Sequence, residues 1–249
     1  MSRIGWKYVV LLFVIGAVLL PARAAGPAKS LPIASVADLT KEAESNMERL
    51  AEYLGSPESY TSSREERIPQ AAGVLACIAQ ALAEHPDRKT SKIAAAHLRD
   101  AAVRLTKSDS FDKATAAYSA AKGAMKGEKT GTAKTGFPWG NLVSMEASMK
   151  VMELRSNRIR RGLRRFRRPQ RDSRHAITLA VLGQAMRDDT DDLDSPTEIA
   201  KWKKISDEYL AAAAALATAM RNKDRAGAKK QHARITKSCK VCHDLFRDK

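Results

Sequence analysis

Leu75-Ala76-Cys77-Ile78-Ala79-Gln80-Ala81-Leu82 and Leu179-Ala180-Val181-Leu182-Gly183-Gln184-Ala185-Met186 are two versions of one stretch. The same offset, without gaps, pairs Glu42-Ala43 with Glu146-Ala147, Leu50 with Leu154 and Ala72 with Ala176. Internal similarity at a fixed offset is the mark of a duplicated unit. Both versions lie in runs whose apolar residues step by three or four, the helical spacing that keeps one face inward.

Outward from this pair, the same spacing recurs along the chain. Val36, Leu39, Ala43, Leu50 and Leu54 form a first stripe, ended by Gly55-Ser56-Pro57. Ile68 to Leu82 forms a second, stopped near His85-Pro86. Ile93 to Leu105 and Phe111 to Met125 form the third and fourth. Residues 127–140, rich in Gly, Thr and Lys, read as a linker. Four more stripes follow: Leu142 through Phe166, Ala176 to Met186, Trp202 to Leu216, and Ile235 to Phe246. No stretch alternates apolar and polar residues long enough for a strand. The expected fold is therefore all-α, with two tandem antiparallel four-helix bundles at 36–126 and 141–249.

The 249 residues carry 44 Lys+Arg against 28 Asp+Glu, and 44% of them are apolar. That balance excludes a disordered or collagen-like chain. Three cysteines in so long a chain exclude a disulfide-stapled scaffold. At the N-terminus, Arg3 and Lys7 precede an apolar run from Tyr8 to Leu20, followed by Pro21-Ala22-Arg23-Ala24-Ala25. This order reads as a secretory signal over residues 1–24, cleaved after Ala24. The run is short for a membrane span, which takes about 20 residues; an uncleaved anchor is the alternative. Arg3, Lys7 and Arg23 leave with the signal and no acid does, which takes the formal charge from +16 to +13. The mature chain is expected in the periplasm or outside the cell.

The chemistry lies in Cys239-Lys240-Val241-Cys242-His243. Cys-x-x-Cys-His is the attachment sequence of c-type haem. Two thiols one helical turn apart reach the two vinyl groups on one porphyrin edge, and the next residue brings an imidazole under the iron. A structural zinc site needs four ligands, usually two such pairs, and only one pair is present. A thioredoxin-like pair expects a βαβ context, and no strand is visible. A plain disulfide leaves His243 unexplained. The expected cofactor is one covalent haem c.

Ser238-Cys239-Lys240-Val241-Cys242-His243-Asp244-Leu245-Phe246-Arg247 resembles the ending of class II cytochromes c, the cytochrome c-prime proteins and their low-spin relatives. The resemblance extends over about residues 137–249 and includes Trp202 and Tyr209. It implies a four-helix bundle with haem near the end of its last helix, Cys239 and Cys242 as thioether sites, and His243 as proximal ligand. Low-spin relatives use a methionine of the first helix as sixth ligand; high-spin members put an apolar residue there. Met145, Met149 and Met152 lie on that helix here, spaced four and three. Met149 is the first choice and Met145 the next, with core packing as the alternative role for all three.

The first half has no haem anchor in any register, since neither Cys nor His occurs between His97 and His175. Cys77 sits on an apolar face and reads as a small core residue; His85 and His97 read as ordinary solvated or satisfied histidines. The half reads as a degenerate copy. Ten arginines from Arg155 to Arg174 oppose only Asp172, a net +9. Asp188, Asp189, Asp191, Asp192 and Asp194 fall in the following loop, at the opposite end of the bundle. A helix of 20–25 residues separates the two ends by roughly 30 Å. A redox partner is therefore expected at the acidic end and an anionic surface or lipid at the arginines. Export disfavours nucleic acid. One-electron transfer is the leading function. A gas-binding (NO or CO) haem protein with an open distal site is one rival, and an interaction protein with a structural haem is another. No Ser/His/Asp arrangement or Gly-rich phosphate loop is visible, so the chain is not expected to be an enzyme.

Overall fold

The computed structural model describes residues 33–247; the signal reading at 1–24 lies outside them. Among the described residues there are nine α-helices and no strand. They are α1 (Val36–Tyr53), α2 (Pro57–Ser63), α3 (Arg67–Glu84), α4 (Ala95–Thr106), α5 (Phe111–Met125), α6 (Met145–Arg165), α7 (Pro169–Asp188), α8 (Pro196–Arg221) and α9 (Arg225–Phe246). No helix among the described residues is long and apolar enough to cross a membrane.

The helices start where the sequence supplies an acceptor. Ser35, Ser56, Ser110, Ser144, Ser195 and Asp224 each accept an N–H from the first turn of the helix they precede. These contacts satisfy donors that a helix cannot satisfy itself. Pro57, Pro169 and Pro196 occupy first-turn positions, where a missing N–H costs nothing. The α6–α7 connection is only Phe166 to Arg168. Phe166 adopts the left-handed conformation (φ 48°) that closes the end of a helix and turns the chain back. Most of the arginines from Arg155 to Arg174 therefore lie on the two helices beside this turn. The helix α2 has a Ser cap and a first-turn proline but too little apolar sequence to show a period.

In the first set, α3 packs on α1 and α4, and α4 packs on α5. In the second, α7 packs on α6 and α8, and α9 packs on α8 and α6. Met145 lies near His243 while Arg225 donates to the Arg164 carbonyl (2.7 Å), so α6 and α9 are antiparallel. One apolar core runs through both sets, because α3 also packs on α6 and α7, and α1 on α7. Gly73 makes one close approach possible: a Cβ there would stand 2.4 Å from Val143 Cγ2.

Residues 127–140 form a strap tied to the first set. Phe137 lies under the Arg99 guanidinium, 5.0 Å from it. Gln80 Nε2 donates to the Phe137 carbonyl (3.3 Å) and Trp139 Nε1 to Glu84 Oε2 (3.1 Å). The Lys134 N–H donates to Asp100 Oδ2 (2.8 Å), and Arg99 donates to the Lys134 carbonyl.

A buried polar cluster joins the sets. Glu42, 1% exposed, accepts at Oε1 from Arg155 Nη2 (3.1 Å) and Thr178 Oγ1 (2.9 Å). Arg155 Nη1 donates to His175 Nδ1 (2.9 Å). Burial lowers the Arg155 pKa to about 10 against the pull of Glu42, so the guanidinium stays charged at neutral pH. Arg155 is thus withdrawn from the basic surface that the neighbouring arginines form.

Candidate functional site

The last two turns of α9 carry Cys239, Cys242 and His243. Cys242 is buried, Cys239 is half-buried and His243 is exposed. All three cysteines of the chain are free thiols. Burial pushes the Cys239 thiol up, and it pushes Cys242 up to about 11 with Cys239 adding to the rise. Reactive cysteines are poised the other way, with a lowered pKa, so this pair is unlike a dithiol exchange site. Cys77 is fully buried in α3, and burial raises its thiol too.

Beside these turns is a cavity of about 280 Å3. Cys242 and His243 line it from α9, Met145 and Met149 from α6, and Trp202 from α8. The fold thus brings together four of the five site residues selected from sequence; Cys239 lies one turn earlier on α9. Met152 is buried and does not line the cavity. Leu193 and Phe246 complete the apolar wall, and Phe246 meets Trp202 edge-on at 5.2 Å. The Trp202 indole is held by donation to the Met186 carbonyl (2.7 Å).

Tyr209 is buried behind Cys239. A Cβ on Gly183 would stand 2.9 Å from the Tyr209 ring, so the missing side chain lets the ring lie against α7. Burial, with Cys239 beside it, holds the phenol well above its usual range and therefore neutral.

Residues 197–247 match the family model described as Cytochrome C'. Over this segment the chain is cytochrome c-prime-like. The cytochrome c-prime-like segment contains Trp202, Tyr209, Cys239, Cys242 and His243, and the match implies haem binding there. Met145 and Met149 lie outside it and reach the cavity only through the packing of α6 on α9. No curated protein and no solved structure matches the chain.

The residues present fit the cofactor that the match implies. Two thiols and an imidazole stand on adjoining turns of one helix, and an apolar hollow with two thioethers opens beside them. Among the described residues no three His, Cys, Asp or Glu side chains converge as a metal-ion site. A haem iron does not need such a group, because the macrocycle supplies four nitrogens and the protein only the axial ligands.

Asp189 and Asp192 line the same cavity and are the site residues that motif reasoning did not select. Burial, and after it Asp191 and Asp192, raise the Asp189 pKa. Asp188 is held by Arg187 Nη1 (2.9 Å) and Gln184 Nε2 (2.9 Å). The signal available in sequence was topological: the end of α7 must come beside the start of α6. Gly140 sits against the Asp188 and Asp189 backbone for this reason.

Proposed function

We propose that the protein is an exported monohaem c-type cytochrome that transfers single electrons, built as two tandem four-helix bundles of which the first is a haem-free copy. The observation that carries this reading is the shared cavity, where Met145 and Met149 meet Cys242 and His243. Cys239 and Cys242 would hold the haem through thioether links. His243 would offer the iron its imidazole nitrogen. Met149 would offer the iron a soft thioether, with Met145 as the alternative. When bound, haem supplies a centre that takes up and returns one electron without bond chemistry, and Met/His ligation raises its potential.

Trp202, Leu193 and Phe246 line the cavity and would keep water from that centre, which would further tune its potential. Asp189, Asp192 and the exposed Asp191 outnumber Arg247, the one arginine lining the cavity, and give the rim a negative field that would steer a basic redox partner to it. Periplasmic or extracellular location follows from the signal reading.

The test is the absorption spectrum of the exported protein, reduced and oxidised, with and without carbon monoxide. The expected result is a six-coordinate low-spin haem that resists carbon monoxide and becomes high-spin in Met149→Ala. An unchanged spectrum in that variant removes Met149 from the iron and directs attention to Met145→Ala. Ready carbon monoxide binding by the unmodified protein favours the gas-binding alternative.

A further inference from the structure

The end of α6 and the start of α7 enclose a concavity of about 680 Å3. Arg158, Arg161, Arg164, Arg165, Arg167 and Arg168 wall it, with Asp172 as its lone carboxylate. All six arginines are exposed, and none of them makes an ion pair among the described residues. Like charges crowded in this way repel one another and oppose the compact state. Arginines at the C-terminal end of α6 gain a little from the helix dipole. That gain does not account for Arg167 and Arg168, which lie beyond the helix.

One buried group also points to a ligand. His175, 6% exposed, lines the concavity. Its Nδ1 accepts from Arg155 Nη1 (2.9 Å), and a guanidinium has only donors to offer, so the ring proton sits on Nε2. That N–H has no acceptor among the described residues. Burial, with Arg155 and Arg174 next in effect, lowers the His175 pKa to about 3, so the ring is a neutral donor at ordinary pH. The N-terminus of α7 adds its dipole, and Arg168 gives it no side-chain cap.

We propose that this concavity binds a polyvalent phosphate group, supplied either by a soluble oligophosphate or by a phospholipid headgroup. Guanidinium forks match phosphate oxygens two at a time, and only an anion with several charges engages more than one or two of the arginines. His175 Nε2 then donates from the wall. The site is independent of the haem reading, because its arginines are at the far end of α6 from Met145 and Met149.

The experiment titrates inorganic tripolyphosphate into the intact holoprotein at low ionic strength, read by calorimetry and by the shift in Tm. The expected result is saturable binding of one tripolyphosphate per chain with a rise in Tm. Arg161→Gln/Arg165→Gln/Arg168→Gln should weaken it by about tenfold or more. Lys89→Gln/Lys92→Gln/Lys122→Gln, which removes as much charge from the first set of helices, should leave it nearly unchanged. Flotation with phosphatidylglycerol vesicles then separates the sources: binding displaced by tripolyphosphate assigns a lipid headgroup, and no vesicle binding assigns a soluble phosphate. Absence of saturable tripolyphosphate binding, or equal loss in the two triple variants, would overturn the proposal.

Discussion

The first set of helices and the second place different residues at corresponding positions. The offset that aligns Leu75–Leu82 with Leu179–Met186 also aligns Leu98 with Trp202, Leu105 with Tyr209 and Ala79 with Gly183. All six are buried. In the first set, two leucines and an alanine fill the space between α3 and α4. In the second, two aromatic rings stand there, a glycine admits one of them, and a methionine-lined hollow opens beyond. The comparison teaches that helix packing alone does not make a site. Aliphatic side chains in this register fill the interior, whereas rings held at fixed points leave a shaped gap beside two thiols and an imidazole.

The seam breaks the correspondence most sharply. Glu42 aligns with Glu146, yet Glu42 is buried against Arg155 while Glu146 is exposed and paired only with Lys150 (2.9 Å). Glu42→Ala leaves Arg155 charged and buried without its partner and should cost about 3–5 kcal/mol. Glu146→Ala should cost under about 0.5 kcal/mol, as exposed helix pairs do. Urea unfolding of the two variants measures both, and equal small losses would mean that the seam pair does not join the halves.

His175 aligns with Ala71, so only the second set places a titratable group there. Its pKa is lowered from 6.5 to about 3 in the folded chain. Between those values the unfolded chain binds the proton and the folded chain does not. Stability should therefore fall as pH drops from about 6.5 toward 3, at up to about 1.36 kcal/mol per unit, and owe nothing to this group above that window. Urea midpoints from pH 7 to pH 4 should slope less steeply in His175→Gln than in the unmodified protein. Parallel slopes would remove His175 as the source.

The smallest effect is expected from exchanging the register partners. Gly183→Ala gains about 1 kcal/mol of helix propensity but sets a methyl 2.9 Å from the Tyr209 ring. Overpacking of this kind costs about 1–3 kcal/mol, so the net should be a modest loss. Adding Tyr209→Leu reproduces the Ala79–Leu105 pair of the first set and should recover much of it. A double variant no more stable than Gly183→Ala would show that the two registers are not equivalent.

The starts of α1, α3, α4 and α5 were legible because their apolar stripes begin at or beside the first turn. In contrast, α7, α8 and α9 start at Pro169, Pro196 and Arg225, before stripes that begin at Ala176, Trp202 and Ile235, because their first turns are mostly polar. The Cys-x-x-Cys-His motif and the methionines were legible for a similar reason: spacing on one helix fixes which residues share a face. Contacts between distant segments were not. Glu42 is a charged residue on a helix and reads as solvated until Arg155 and Thr178 arrive from another part of the chain. Arg155 reads as one of ten arginines for the same reason. The strap at 127–140 has the composition of a loose linker, and only the pairing of Arg99, Gln80 and Asp100 with it ties it down. The end of the bundle that carries Asp189 was legible from the up-down topology, but its place in the cavity wall was not.

The central claim is that Cys239 and Cys242 hold one haem covalently, with His243 on the iron. The most direct measurement is the reduced pyridine haemochrome of the purified, denatured protein, quantified per chain. The account predicts one c-type haem per chain, absent from Cys239→Ser/Cys242→Ser and retained in Cys77→Ser. A chain exported with a c-type maturation system that carries no covalent haem, and whose Cys239 and Cys242 both remain free to react with a thiol reagent, would contradict it.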